Sequence, residues 1–177
     1  MKKQISILIV FFSSFSLISC QKQDIGPLNE TGPTAAISTY AGQMNEAGTP
    51  FKGSYITSFT VLQPPPNLIQ RVSGTGTASH LGRSTFESIS NVAVSPHPPF
   101  VVTGTRTITA ANGDQLFTTF IGTSTPIVNG MNGADLQETI TGGTGKFVNA
   151  SGSFTTMARN NFITSAFTAD FDGYIRY

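Results

Sequence analysis

Few side chains in this sequence are equipped for covalent or acid–base chemistry, and the most reactive of them lies near the N-terminus. Cys20 is the sole cysteine. It follows Leu17-Ile18-Ser19, which closes an apolar run beginning at Ile5 behind Lys2 and Lys3. The lysines form a charged n-region, and the apolar run has the length of a signal h-region while being too short to span a bilayer. A thiol in that place is where a bacterial lipoprotein signal is cut and the new N-terminus acylated. The reading is therefore a signal peptide over 1–19 and a mature chain beginning at lipidated Cys20, held to the cell envelope. The alternative is an ordinary cleaved signal in which Cys20 falls by coincidence. Gln21, standing where an aspartate would retain the protein at the inner membrane, favours the outer membrane. With one thiol, no disulfide can form within the chain.

Glu138 and Arg106 are the next most informative residues. Glu138 shares strand parity with Leu136 and Ile140, and Arg106 with Val102 and Ile108, so both point where apolar side chains point. A buried charge is costly unless paired, and tends to persist where a ligand or reaction uses it. Two readings stay open: a barrel-end register change or core-closing ion pair, or a polar spot inside a small cavity. On the second reading Glu138, Arg106, Tyr55 and Phe59 are the candidate ligand-binding residues, and no catalytic residue is assigned.

Other chemistry is poorly supplied. His80 and His97 are the only histidines, with no carboxylates at a recognisable ligand spacing, so neither a metal nor a cofactor is expected. His80 reads as a hydrogen-bonding residue of a hairpin. Asp170-Phe171-Asp172-Gly173 lacks the twelve-residue frame and final glutamate of a calcium loop. No G-x-S-x-G element or Ser/His/Asp grouping is present. Thr141-Gly142-Gly143-Thr144-Gly145-Lys146-Phe147 matches neither phosphate-binding glycine pattern, and it leads into a strand-like segment in place of a helix. The better reading is structural: Gly142, Gly143 and Gly145 permit a sharp reversal with φ > 0, and Phe147 folds back as a plug over one barrel end.

These residues must be positioned by strands. From 49 to 177 the chain alternates phenylalanine, valine, isoleucine and threonine in runs separated by Gly, Asn or Pro. Eight runs are expected near 50–62, 69–80, 84–95, 100–110, 114–124, 134–142, 151–159 and 162–176. Pro64-Pro65-Pro66 and Pro96-His97-Pro98-Pro99 interrupt the chain between strands. Asn112-Gly113 predicts a two-residue hairpin, and Asn160-Asn161 a turn into the last strand. Phe51, Tyr55, Phe59 and Val61 fall on one face of the first strand; Ile163, Phe167, Ala169, Phe171 and Ile175 fall on one face of the last. One apolar face per strand and no covering helices leave a closed barrel or a sandwich. Short connections favour the barrel, which also removes exposed edges. Residues 20–48 carry no sustained period and read as a flexible tether, although a short helix over 35–44 is conceivable.

Charged residues make up 11% of the chain, less than half the usual share for a soluble domain. Removing Lys2 and Lys3 from the 10 basic residues leaves eight against 9 acidic ones. This near-neutral balance, with no basic run, argues against a nucleic-acid partner.

The glycine-rich segment and the following Ala150-Ser151-Gly152 step resemble the loop before a late strand in the dirigent and allene oxide cyclase-like barrels. The stretches 74–83 and 109–116 and the terminal Gly173-Tyr174-Ile175-Arg176-Tyr177 are similar to small secreted bacterial barrels allied to that group. The resemblance implies one antiparallel, eight-stranded, up-and-down β-barrel over 49–177. Because the shared motifs are turns, it transfers no catalytic residue. The leading expectation is an envelope lipoprotein binding a small apolar ligand or an envelope partner. The alternatives are an isomerase or cyclase acting within the barrel, and a structural or adhesive surface protein with a filled barrel. Nothing in the sequence bears on oligomeric state.

Overall fold

The computed structural model describes residues 48–177. Cys20, the signal peptide, the tether and the short helix considered over 35–44 lie outside the described residues.

Eight strands close into one antiparallel barrel: β1 (Thr49–Gln63), β2 (Asn67–Ala78), β3 (Gly82–Ala93), β4 (Phe100–Ala110), β5 (Gln115–Ser124), β6 (Met131–Gly143), β7 (Ser151–Asn161) and β8 (Ala166–Arg176). Each strand pairs with its neighbours in sequence, and β1 closes on β8. Closure leaves no row of unpaired backbone groups. It also sorts side chains by parity, so β3 alternates buried and exposed from Ser84 to Val92. Threonine supplies much of the outer surface. On β4, Thr103 and Thr105 alternate with the inward Val102, Gly104 and Arg106, which explains how so few charges suffice.

The two barrel ends differ. At the end where β1 begins, large apolar side chains fill the interior: Phe51, Tyr55, Phe86, Ile108, Leu116, Phe154, Phe171 and Ile175 form one continuous cluster. A single 3₁₀ turn, Gly145–Phe147, places Phe147 over this cluster with no exposed surface. At the other end a smaller cluster of Val92, Val102, Phe120 and Leu136 lines the wall, and Leu68, Val94, Phe100 and Ala134 stay partly exposed.

Several local expectations need correction. The β4–β5 hairpin has a three-residue loop in place of the two-residue turn. Gly113 alone adopts positive φ, at 91°, while Asn112 does not. Ala110 N donates to Asp114 O at 2.9 Å and Gly113 N to Ala110 O at 3.0 Å, the pattern of a type I turn closed by a left-handed glycine. The last hairpin turns over 162–165, with Ser165 at φ 54°. Asn161 Oδ1 accepts from Ile163 N and Thr164 N at 3.0 Å each, so it caps this turn from the end of β7. Ile163 therefore sits exposed in the turn and does not join the inward face of β8. In the glycine segment, Gly142 (φ 128°) and Gly145 (φ 55°) use positive φ, whereas Gly143 does not. Gly143 is required by proximity: a Cβ there would lie 2.1 Å from Gln115 O and 2.7 Å from Phe147 Cβ. A bulge at Thr141, between the Phe117–Gly142 and Thr118–Ile140 pairs, bends β6 into this loop.

Candidate functional site

The barrel interior is divided at mid-height by a polar layer. Arg106 reaches in from β4 and Glu138 from β6; Arg106 is 5% exposed and Glu138 fully buried. Arg106 Nη1 lies 2.5 Å from Glu138 Oε1. The carboxylate also accepts from Thr118 Oγ1 on β5 (to Oε2) and Thr156 Oγ1 on β7 (to Oε1), each at 2.6 Å. Nη1 donates additionally to Thr156 Oγ1 at 3.0 Å. Inward positions on β4 to β7 thus form one network through diagonal contacts, since the register sets Thr118 opposite Arg106 and Glu138 opposite Phe120 and Phe154.

Rings surround the guanidinium. Its central carbon lies 4.5 Å from the Phe86 centroid, 4.9 Å from that of Phe171 and 5.4 Å from that of Phe120, so the cation meets π faces where it meets no oxygen. Burial pushes the Arg106 pKa below its ordinary value, opposed by the negative charge of Glu138 and by Tyr55. Burial likewise raises the Tyr55 phenol, opposed by its 2.7 Å hydrogen bond with Ser84 Oγ and by the Arg106 charge. At neutral pH the layer holds a neutral phenol beside a cation paired with its carboxylate.

Above this layer a cavity of about 460 Å³ opens towards the mouth. Arg106 and Thr156 contribute to its floor, and Val72, Val92, Val102 and Leu136 to its walls. Small inward side chains create the space. Ala134, Ala158 and Ala169 lie side by side across β6, β7 and β8, and Ser88 and Ser90 line the wall on β3. Phe59, Phe162 and Phe167 form an aromatic group with centroids 5.3–6.0 Å apart, and Phe59 and Phe162 flank the mouth. This volume lies within the range of small-molecule sites, which are mostly apolar with a few placed polar groups. Among the described residues, Arg106 is the one charged residue lining it.

Of the four ligand-binding candidates, Arg106 and Phe59 line the cavity. Tyr55 and Glu138 do not: Tyr55 belongs to the filled half, and Glu138 lies behind the guanidinium. Arg106 and Glu138 are brought together; Tyr55 couples to them electrostatically; Phe59 stands apart at the mouth. Sequence reasoning misses Thr118, Thr156, Ser84, Ser88 and Ser90, although parity carries the signal. Thr118 falls between the inward Leu116 and Phe120, and Thr156 two residues after the inward Phe154.

His80 sits at φ 67° in the β2–β3 turn, with partners from beyond that hairpin: Nε2 meets Pro50 O at 3.0 Å and Nδ1 meets the Tyr177 hydroxyl at 2.8 Å. The carbonyl of His80 accepts from Lys146 Nζ, tying the turn to the plug. Asp172 projects outward to Lys52 at 3.3 Å. No grouping of three or more potential metal ligands occurs among the described residues.

The fold and site define a closed up-and-down β-barrel, filled at one end and open at the other, with the Arg106 side of a buried ion pair on the cavity floor. No family model, curated protein or solved structure matches the chain.

Proposed function

We propose that the protein is a lipid-anchored envelope lipoprotein whose barrel binds a small, largely apolar ligand in its open half. The observation that carries this reading is the cavity of about 460 Å³, walled by valine, leucine and alanine, in a barrel whose opposite end is filled by one apolar cluster. A protein that needed only a stable barrel could fill that space with larger side chains, as its own opposite half does. The anchor reading rests on Cys20 and its preceding signal, and the bacterial-barrel resemblance is compatible with both. A catalytic reading gains no support from the floor: Glu138 accepts three hydrogen bonds and does not line the cavity.

The test is binding of the neutral dye Nile red by the unacylated mature chain, made with Cys20→Ser so that no detergent is needed. Saturable binding is expected, and Ala158→Phe, which adds a ring at the centre of the alanine row, should abolish it while the variant stays folded. Unimpaired binding by a folded Ala158→Phe protein would place the dye elsewhere and defeat the reading.

A further inference from the structure

The cavity floor has a hydrogen-bonding feature that the fold does not satisfy. Nη1 makes every hydrogen bond of Arg106 among the described residues. Nε is fully buried and has no acceptor. An unsatisfied donor on a buried cation is a standing penalty that native interiors rarely tolerate. It is also avoidable, because buried ion pairs can commonly be replaced by apolar side chains without loss of stability. A cavity ligand cannot reach Nε, but Nη2 of the same guanidinium also makes no hydrogen bond, keeps accessible surface, and belongs to the residue that forms the floor of an apolar cavity.

Charge decides what kind of acceptor suits it. The positive charge of Arg106 is already matched by Glu138 at 2.5 Å, and among the described residues no other charged one lines the cavity. A ligand carboxylate would bring a second negative charge to share one cation in a poorly solvated site, which like-charge repulsion and desolvation both oppose. A carbonyl or hydroxyl oxygen would accept from the guanidinium and leave the site neutral.

We infer that the cavity selects an amphiphile with an uncharged oxygen acceptor at its inner end (ketone, aldehyde, ester or alcohol), seated on Nη2 of Arg106 with its hydrocarbon towards the Phe59 and Phe162 mouth. This rests on the ligand-binding reading above and deepens it.

The probes are four eight-carbon compounds competing with Nile red on the unacylated mature chain at pH 7.5: octane, octanol, methyl hexyl ketone and octanoate. The ketone and alcohol should bind more tightly than octanoate. The ratio of ketone to octane affinity should fall about ten- to a hundredfold on going from the wild type to Arg106→Met/Glu138→Leu, a comparison in which transfer from water cancels. The ¹H–¹⁵N signal of the Arg106 Nη2 group gives a second readout independent of any variant. It should move downfield with ketone and stay in place with octane.

Octanoate binding as tightly as the ketone would overturn the inference, as would a ketone-to-octane ratio unchanged in the double variant, or an Nη2 signal indifferent to the ketone. In those cases the cavity still binds ligands and the broader reading stands. Failure of all four compounds and of the dye to bind would remove both.

Discussion

Replacing Glu138 with glutamine probes the polar layer at its centre. The change preserves size and one acceptor but removes the charge that balances Arg106. In the native protein Glu138 is fully buried, takes the guanidinium at 2.5 Å and accepts from Thr118 and Thr156 at 2.6 Å each. Glutamine offers one oxygen and an NH2 group, so one of these donors must turn away or face another donor. The larger effect is on Arg106, left charged and uncompensated at 5% exposure. Breaking a buried pair by altering one partner typically costs about 3–5 kcal/mol. Against a usual domain stability of about 5–15 kcal/mol the loss is large, and at about 3 °C per kcal/mol for a domain of this size it lowers Tm by about 10–15 °C. Thermal and urea unfolding followed by circular dichroism at pH 7 gives the value. Arg106→Met/Glu138→Leu removes both charges together and should recover most of the loss, because no ion remains to be desolvated. A Glu138→Gln protein within about 1 kcal/mol of wild type would refute the reasoning. So would a double variant that is less stable still.

Three further outcomes are expected. Gly143→Val should lower the urea midpoint more than Gly145→Val. Its Cβ would meet the Gln115 backbone and the base of Phe147, whereas at Gly145 (φ 55°) the nearest obstacle is the Asp114 side chain, which can swing away, leaving a strain of about 1–2 kcal/mol; equal midpoints would count against the plug. Tyr55 has a folded-state pKa above its ordinary value of 10.0, so its contribution is fully present below pH 10 and is lost as pH rises through the folded value. Stability measured by urea unfolding between pH 9 and 11.5 should therefore fall more steeply in wild type than in Tyr55→Phe, and parallel curves would contradict the shift. Cys20→Ala should release the protein from membranes or stall its processing, read by detergent-phase partition; normal processing with retention would dismiss the lipid.

Much of this architecture is legible in the sequence because a strand's side-chain period is two and hairpins are short. Parity alone puts Arg106 with Val102 and Ile108, and Glu138 with Leu136 and Ile140, and the structure buries all six. What parity cannot carry is volume. Ala134, Ala158, Ala169 and Ser90 point inward like Phe51 and Phe154, yet whether small side chains leave a cavity depends on which of them meet across strands. That is a matter of register among four or more chain segments. For the same reason parity groups Tyr55 and Phe59, two inward positions apart on β1, as ligand contacts although the polar layer divides them. The turns fail on a finer scale. Asn112-Gly113 and Asn160-Asn161 mark the right neighbourhoods, but a left-handed residue is needed only at Gly113 and Ser165, and a dipeptide pattern does not say which position carries it.

The most direct measurement of the central claim is the set of nuclear Overhauser contacts between protonated methyl hexyl ketone and the methyl groups of the unacylated mature chain. The account predicts contacts to Val72, Val92, Val102 and Leu136, which line the open half, and none to Ile108 or Ile175 beneath the ion pair. Contacts confined to outward-facing methyls such as Ile56 or Ile121, or none to the interior of a protein that nevertheless binds the ketone, would contradict it.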